Sequence, residues 1–267
     1  MDDRNKASYS TGLASHWYAP DGWFLDAGEQ RAFSVAAGEL RNRPVLDLGV
    51  GAGRTTSFIR LLTDEYVGLD YSATMVVRCR ASFPECEFCE GDARDLSRFP
   101  DGRFGGVVFS YNGLDWVDHD DRQRVLREAH RVLAEGGILV LGTLNKDGPL
   151  YMRPPWRRED VRPNMKWPTR LARAIWHIPL NWDRNMHNWK TWWSDRGLTE
   201  DHGEWAIAPR GSGSDLIAHW TTVAGLRHDL DGAGFELTAL FESDGEAVPV
   251  GAASVRSRWM HAIARSV

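Results

Sequence analysis

A short apolar segment that ends in three closely spaced glycines constrains this chain more than any other stretch. Residues 44–48, Pro-Val-Leu-Asp-Leu, predict a buried strand, and Gly49, Gly51 and Gly53 follow at intervals of two. Glycine is needed where the backbone takes a positive φ or comes close to a ligand. The helix that follows such a turn begins with unpaired N–H groups. The sequence therefore predicts a strand, a turn and a helix that bind a nucleotide cofactor.

The spacing of these glycines indicates which cofactor is bound. A dinucleotide fingerprint has its third glycine three residues after the second, and this chain has Arg54 at that position. Preceded by Asp47, the glycines instead resemble the first motif of the class I, Rossmann-like methyltransferases that depend on S-adenosylmethionine (SAM). The resemblance implies that Asp47, Gly49, Gly51 and Gly53 bind SAM.

An acidic residue also follows the second predicted strand. Residues 66–69 predict that strand, and Asp70 comes 17 positions after Gly53. A carboxylate at this point of a nucleotide-binding unit can accept hydrogen bonds from the ribose hydroxyls. The stretch from Asp70 to Met75 resembles the methyltransferase pattern of acid, aromatic or small residue, serine and, three residues later, methionine. The resemblance implies that Asp70, Tyr71 and Met75 contact the cofactor.

The third and fourth predicted strands complete the cofactor site. Residues 86–90 predict the third strand, and the Gly-Asp-Ala turn after it resembles the family's adenine site. The resemblance implies that the Asp92 carboxylate accepts a hydrogen bond from the exocyclic amine of adenine. It also implies that the N–H of Ala93 donates to a ring nitrogen of adenine. Residues 104–110 predict the fourth strand, whose carboxyl end binds ligand in open α/β sheets. We expect Ser110 to contact the cofactor and Tyr111, Asn112 and Trp116 to face the substrate.

The stretch from residue 131 to residue 141 resembles the sequence that methyltransferases of this family have before their fifth strand. A helix ends in Arg-Val-Leu, and an apolar strand follows a Gly-Gly turn. We expect Gly136 to supply a left-handed helix stop and Gly137 to begin the strand. Before this helix, the acidic residues 118, 120 and 121 are interpreted as helix-capping residues rather than metal ligands.

The regions outside these motifs define four parts of the chain. Residues 1–43 predict an N-terminal helical lid with a helix from Asp26 to Leu40. The resemblance suggests that this lid lies over the cofactor. Tyr9 is assigned to the cofactor and Trp17 to the substrate. Residues 44–144 form the SAM-binding core. Residues 145–213 contain eight of the 13 tryptophans and predict an inserted aromatic cap. Residues 214–267 predict the C-terminal part of the core, with a helix and two strands.

The fold class expected from these parts is α/β. The resemblance implies a seven-stranded, mostly parallel Rossmann-like methyltransferase sheet with helices on both faces, and with its last two strands antiparallel at one edge. The N-terminal helices and the aromatic cap would be additions to this core.

Composition restricts the location and the partners. The first residues lack the apolar segment of a secretory signal, and no run approaches the roughly 18 apolar residues of a membrane span. A net charge of −5 gives no general attraction to nucleic acid or anionic membranes. Only Cys79, Cys86 and Cys89 are present, and we interpret them as structural cysteines in a reducing compartment, with no metal site. We expect a cytoplasmic protein; its oligomeric state is not specified by the sequence.

The activity implied by the resemblance is transfer of the SAM methyl group to oxygen or nitrogen of a small molecule by in-line displacement. The Trp-rich, basic cap favours an aromatic or anionic acceptor. Two alternatives stay open: a nucleic-acid (RNA) methyltransferase, favoured by the same cap, and a non-catalytic SAM-binding regulatory protein. No spacing assigns a general base, and His16, His177 and His187 are the candidates from the segments expected to face the substrate.

Overall fold

The structure, a computed structural model, describes residues 25–152, 193–194, 196–209, 217–249 and 251–267. Most of the predicted cap and the first 24 residues lie outside this set. The assignments made for Tyr9, His16, Trp17, His177 and His187 therefore fall outside the described residues.

A seven-stranded sheet forms the centre of the protein and confirms the predicted fold class. Its strands are β1 (Val45–Leu48), β2 (Tyr66–Asp70), β3 (Glu87–Glu90), β4 (Phe104–Phe109), β5 (Leu133–Leu144), β9 (Phe235–Glu242) and β10 (Trp259–Ser266). Their order in the sheet is β3-β2-β1-β4-β5-β10-β9. The first five strands are parallel, and β10 is antiparallel to both of its neighbours. The predicted antiparallel pair thus lies at one edge of a parallel sheet.

Helices cover both faces of the sheet, as the uninterrupted burial of its central strands requires. They are α1 (Ala27–Leu40), α2 (Thr56–Arg60), α3 (Ala73–Ser82), α4 (His119–Val132) and α5 (Val223–Gly232). One apolar cluster joins α1 and α3 to the sheet through residues such as Phe33 and Val76. The other joins α4 and α5 through residues such as Leu126 and Leu226. No helix in the described part of the chain is long and apolar enough to cross a membrane.

Side-chain caps fix the first turns of three helices. The Asp26 carboxylate accepts from the N–H of Glu29 at 2.9 Å at the start of α1. Asp118 accepts from Asp121 at 3.0 Å at the start of α4, and Thr222 caps α5. These contacts satisfy N–H groups that have no partner within the helix. They confirm the capping interpretation of residue 118 and the predicted start of the first helix at Asp26.

The predicted helix stop at Gly136 and the predicted strand start at Gly137 are both wrong. Helix α4 ends at Val132, and its C-cap Leu133 is already extended, with φ −76° and ψ 138°. Leu133 is buried and pairs with Phe104 as the first residue of β5. Gly136 does take a left-handed φ of 67°, but within β5, where the register with β4 shifts between Phe104 and Gly106. The positive φ therefore serves an irregularity in the strand rather than the end of the helix.

A second, three-stranded antiparallel sheet was not predicted. It consists of β6 (Glu200–Asp201), β7 (Trp205–Pro209) and β8 (Ile217–Thr221). Its buried Trp220 donates to the carbonyl of Ala208 at 3.2 Å and packs in a cluster with Leu144 at the end of β5. Strands β6 and β7 come from the segment predicted as a cap, whereas β8 comes from the segment predicted as core. The sheet therefore joins these two parts of the chain.

Candidate functional site

An open cleft lies at the carboxyl ends of β1, β2 and β4. The cavity within it has a volume of about 180 Å³. Most of the residues assigned to the cofactor from the sequence border it: Gly49, Gly51, Asp70, Tyr71, Met75, Asp92, Ala93 and Ser110. Tyr111 and Trp116, which were assigned to the substrate, also border it. The cleft therefore brings together residues that the sequence assigned to the cofactor and to the substrate.

The glycine turn after β1 presents bare backbone to this cleft. Gly49 and Gly51 have φ values of 61° and 58°, a region that side chains disfavour. A Cβ on Gly49 would come within 2.8 Å of the Phe109 ring, whereas a Cβ on Gly51 would have no atom within 4 Å. Gly49 is thus required for packing, and Gly51 leaves its backbone accessible to a ligand.

Asp70 is held rigidly at the end of β2. One carboxylate oxygen accepts from the N–H of Gly51 and the other from the N–H of Ser72, both at 2.8 Å. Burial raises the pKa of Asp70, and the two N–H donors oppose that rise. Each carboxylate oxygen can accept more than one hydrogen bond. Asp70 therefore has remaining acceptor capacity at the border of the cleft, which suits a pair of hydroxyl groups.

Asp47 and Gly53, which were also assigned to the cofactor, do not border the cleft. Asp47 is buried and accepts from Thr55 Oγ1 at 2.6 Å and from the Tyr66 hydroxyl at 2.9 Å. Burial raises the pKa of Asp47 to about 6, and these two hydrogen bonds oppose the rise. Gly53 has φ 92°, and a Cβ there would lie 2.5 Å from the Phe83 ring. Both residues therefore contribute to the packing of the glycine turn on the side away from the cleft.

An ion pair that sequence reasoning missed joins α1 to the glycine turn. The guanidinium of Arg54 donates to the buried Glu29 carboxylate at 2.6 and 2.5 Å. It also donates to Ser110 Oγ at 2.9 Å and lies 4.7 Å from the centroid of the Tyr111 ring. The only sequence signal was that Arg54 replaces a dinucleotide-motif glycine; nothing in the sequence indicated Glu29 as its partner. The pair connects the cofactor side of the cleft to the residues after β4.

A second arginine, Arg94, is hydrogen-bonded to Asp92, the residue predicted to bind adenine. Arg94 donates to both carboxylate oxygens of Asp92, at 3.0 Å through Nε and 2.6 Å through Nη2. It also donates to Asp121 at the start of α4, at 2.6 Å. Because Arg94 borders the cleft beside Asp92 and Ala93, an adenine amine bound by Asp92 would share the carboxylate with this guanidinium.

The two residues after Ser110 have an unusual backbone. Tyr111 and Asn112 both take left-handed conformations, with φ 52° and 63°, which cost energy for residues other than glycine and often occur at functional sites. Tyr111 borders the cleft, but Asn112 is buried beneath it and does not. Asn112 Oδ1 has no hydrogen-bond partner in the described structure. The predicted direct contact of Asn112 with substrate is therefore not seen in the cleft itself.

A buried ionic network supports the far side of the cleft beneath Trp116. The Arg122 guanidinium donates to Asp115 Oδ1 and to Asp229 Oδ2, both at 2.8 Å. Asp115 also accepts from Thr143 Oγ1 at 2.6 Å and from the N–H of Leu144 at 2.7 Å. Burial raises the pKa of Asp115 to about 6 against the effect of Arg122 and the other donors. The network joins α4, α5 and β5 to the turn that carries Trp116.

Part of the sequence is similar to known methyltransferases. Residues 45–137 match a family model described as "Methyltransferase domain". An uncharacterized methyltransferase of Synechocystis sp. is 30% identical over 131 residues, which cover 48% of this chain and 61% of that protein. A demethylmenaquinone methyltransferase of Thermotoga maritima is 33% identical over 105 residues, which cover 39% of this chain and 44% of that protein. The chain thus spans less than two thirds of the length of these relatives.

A solved structure extends the likeness to the whole chain. The crystal structure of Burkholderia thailandensis 1,6-didemethyltoxoflavin-N1-methyltransferase, with 1,6-didemethyltoxoflavin and S-adenosylhomocysteine bound, has a TM-score of 0.57. The match covers all of this chain and 91% of that one at 13% identity. At this identity the likeness concerns the fold.

Proposed function

We propose that this chain, which carries a class I, Rossmann-like methyltransferase domain, transfers a methyl group from SAM to oxygen or nitrogen of a small molecule. The observation that carries this proposal is the Asp70 carboxylate, fixed by the N–H groups of Gly51 and Ser72 at the border of the cleft. It has the acceptor capacity that two adjacent ribose hydroxyls require.

The residues around the cleft fit the parts of SAM. Asp70 would hold the ribose, Asp92 and Ala93 the adenine, and the exposed backbone of Gly51 the remainder of the cofactor. Bound SAM supplies an electrophilic methyl carbon. The protein's task is then to position the acceptor and to exclude water, which can contribute roughly 7–11 kcal/mol through proximity and orientation.

Three side chains support a small, aromatic or anionic acceptor. Tyr111 and Trp116 provide aromatic surface next to the cofactor side of the cleft, and Arg54 adds a guanidinium. Aromatic surfaces suit a flat acceptor. A negative charge on the acceptor would share the Arg54 guanidinium with the Glu29 carboxylate, to which it is already paired. The Thermotoga and Burkholderia proteins are described as methyltransferases of demethylmenaquinone and of 1,6-didemethyltoxoflavin, which is consistent with this proposal.

Calorimetry with S-adenosylhomocysteine tests the cofactor assignment. We expect Asp70→Asn to weaken binding by at least about tenfold, because two charge-assisted hydrogen bonds are worth roughly 1.5–3 kcal/mol each. Glu90→Gln, at the exposed end of the neighbouring β3, is the matched control and should bind normally. Equal affinity of Asp70→Asn and wild type would refute the ribose assignment, and preferential binding of NAD would refute the proposal as a whole.

Transfer of labelled methyl from SAM tests the activity. The protein is incubated with methyl-labelled SAM and, in separate reactions, with the small-molecule fraction or the nucleic-acid fraction of an extract of its own organism. We expect label in a small-molecule product that is absent when Asp70→Asn replaces the wild type. Label in the nucleic-acid fraction instead would favour an RNA methyltransferase. Binding of the cofactor without transfer to either fraction would favour a regulatory protein.

A further inference from the structure

The start of α1 carries two carboxylates that form contacts outside the helix. Asp26 is the N-cap, and one of its oxygens accepts from the N–H of Glu29. The side chain of Glu29 is 2% exposed and that of Asp26 is 14% exposed. Neither residue borders the cleft. Capping uses one oxygen of Asp26, so the other Asp26 oxygen and the Glu29 carboxylate serve other parts of the protein.

Glu29 is bonded to an arginine that lies beside the ring of Tyr111. Arg54 donates to both Glu29 oxygens, at 2.6 and 2.5 Å. Burial lowers the pKa of Arg54, but the hydrogen bonds and charge of Glu29 outweigh burial and raise it. The guanidinium carbon lies 4.7 Å from the centroid of the Tyr111 ring, within the roughly 6 Å over which a ring attracts a cation. Glu29 thus fixes a cation beside this ring.

Asp26 is bonded to a tryptophan that lies beside the same ring. Its second carboxylate oxygen accepts from the indole N–H of Trp259 and from His261. The indole lies 6.3 Å from the Tyr111 ring, centroid to centroid, at an interplanar angle of 57°. Favourable aromatic pairs have centroids about 4.5–7 Å apart. Both carboxylates at the start of α1 therefore hold a direct neighbour of the Tyr111 ring.

The backbone that carries this ring is fixed separately. Tyr111 and Asn112 have φ values of 52° and 63°, and residues other than glycine keep such conformations only where their surroundings fix them. A Cβ on Gly142 would lie 3.1 Å from the backbone nitrogen of Tyr111, so the turn packs directly on β5. The direction of the ring from this backbone then depends on its side-chain contacts.

The ring itself is available to a ligand. Tyr111 is 40% exposed and borders the cleft. Its side chain forms no hydrogen bond to any residue that the structure describes. Within that part of the chain its ring interactions are those with Arg54 and Trp259. These two neighbours, and the carboxylates that hold them, therefore determine where the exposed face of the ring lies.

We infer that Glu29 and Asp26 are positioning residues for the methyl transfer, because they hold the Tyr111 ring as a fixed wall against which a flat, aromatic acceptor is oriented. This inference rests on the proposed function. The charge of Arg54 is compensated by Glu29, so Arg54 serves this wall without having to exchange its partner for the acceptor. A displacement of about 1 Å caused by a substitution away from the chemistry can cost roughly 10²-fold in rate.

Initial rates of transfer of labelled methyl from SAM to one labelled product test this inference. All variants receive the same dilute small-molecule extract, so the ratio of two rates equals the ratio of their kcat/KM values for the acceptor. We expect Glu29→Gln and Asp26→Asn each to lower this value by roughly 10–100-fold. Glu39→Gln, in the last turn of the same helix, is the matched control. Its carboxylate is 39% exposed and paired with Arg265, and its rate should equal that of wild type.

The chemistry of the two substitutions removes one contact each. Glutamine keeps the shape of Glu29 but not the charge that fixes Arg54. Asparagine caps a helix as well as aspartate, but with its oxygen at the N–H of Glu29 it turns an amide nitrogen toward Trp259. An amide nitrogen does not accept from the indole N–H. The Tyr111 ring should therefore lose one of its two supports in each variant.

Repeating both substitutions in Tyr111→Leu separates positioning from a structural role. Tyr111→Leu alone should lose roughly 10–100-fold, because the wall is absent. Residues that act through one group are not additive, so Glu29→Gln and Asp26→Asn should then change the rate by less than about twofold. A full loss from either substitution in the Tyr111→Leu background overturns the inference, and so does a loss beyond about 10³-fold in Tyr111→Leu itself, which positioning does not explain.

Calorimetry with S-adenosylhomocysteine completes the test. We expect affinities within about twofold of wild type in Glu29→Gln and Asp26→Asn, since neither residue borders the cleft. A fall in affinity that matches the fall in rate means that these residues serve the cofactor, and it overturns the inference. A wild-type rate in either variant overturns it as well and leaves the proposed function intact. No transfer by the wild-type protein overturns both.

Two replacement variants cover a failure to fold. If Glu29→Gln does not fold, the double variant Glu29→Gln/Arg54→Met takes its place, because it leaves no buried charge without a partner. If Asp26→Asn does not fold, Trp259→Leu removes the second ring contact directly. The same loss of rate, and the same lack of effect in Tyr111→Leu, are expected of both. A wild-type rate in either replacement overturns the inference.

Discussion

Replacing Arg122 by methionine should destabilise the protein severely. Arg122 and Asp115 are both completely buried, and their ion pair has an Nη1 to Oδ1 distance of 2.8 Å. Asp229 depends on the same guanidinium through Nε and is almost as buried. Methionine fills a similar volume but donates no hydrogen bond. The Arg122→Met variant therefore leaves two buried carboxylates without their cation.

The magnitude of this destabilisation follows from the donors that each carboxylate retains. Removing one partner of a buried ion pair costs about 3–5 kcal/mol, because the remaining charge is no longer compensated. Asp115 keeps the donors Thr143 and Leu144, and Asp229 keeps the Gln123 amide at 2.5 Å, so we expect about 4 kcal/mol rather than the sum for two pairs. For a chain of this size that corresponds to a fall in Tm of roughly 8–16 °C.

Urea denaturation followed by fluorescence measures this free energy, with Arg127→Met as the matched control. Arg127 lies on the exposed face of the same helix, and surface substitutions usually change stability by less than about 0.5 kcal/mol. Adding Asp115→Asn and Asp229→Asn to Arg122→Met should recover much of the loss, because the buried charges are then gone. A loss below about 1 kcal/mol in Arg122→Met, or no recovery in the triple variant, would refute the reasoning.

Two further predictions concern the turn after β1. Asp47→Asn should raise the free energy of unfolding at pH 7 by up to about 3 kcal/mol, since 1.36 kcal/mol per pKa unit applies to a carboxyl shifted from 3.8 to about 6. The gain should disappear as the pH falls from about 6 to 4, because wild-type Asp47 then takes up its proton in the folded state; a pH-independent difference would contradict this. Gly53→Ala should lower the free energy of unfolding by more than Gly51→Ala, since only Gly53 faces the Phe83 ring. Gly51→Ala should instead weaken S-adenosylhomocysteine binding, and calorimetry beside urea titration distinguishes the two.

The parallel part of the fold could be predicted because each strand carries a local signal. Residues 45–48 and 66–70 are apolar runs that end in a glycine turn or an acid, and both are buried strands in the structure. The residues on the cofactor side of the cleft could be predicted from the same local sequence patterns, because the end of each strand and the turn after it are adjacent in sequence. Gly136 shows the limit: its positive φ was predicted, but its place within β5 depends on the pairing of Leu133 with Phe104.

Other buried contacts of the protein join distant parts of the chain. Asp26 and His261 are separated by 235 residues, and neither stands in a motif that points to the other. The same holds for Glu29 with Arg54, and for Arg122 with Asp229. A helix cap and a strand residue each look ordinary in the sequence, and only the insertion of β10 next to β5 brings them together. The second sheet was missed for the same reason, because β7 and β8 are short and pair across a connection.

The position of β10 between β5 and β9 also bears on how the protein is made. Both neighbours of β10 are synthesised before it, yet neither contacts the other in the finished sheet. While the chain is still growing, the edges of β5 and β9 carry unpaired backbone groups, which are a known risk for aggregation. The five parallel strands all precede β10 in the chain, and His261 reaches Asp26 only when β10 is inserted. The contacts of β10 with β5, with β9 and with Asp26 at the start of α1 would therefore form only after β10 itself has been synthesised.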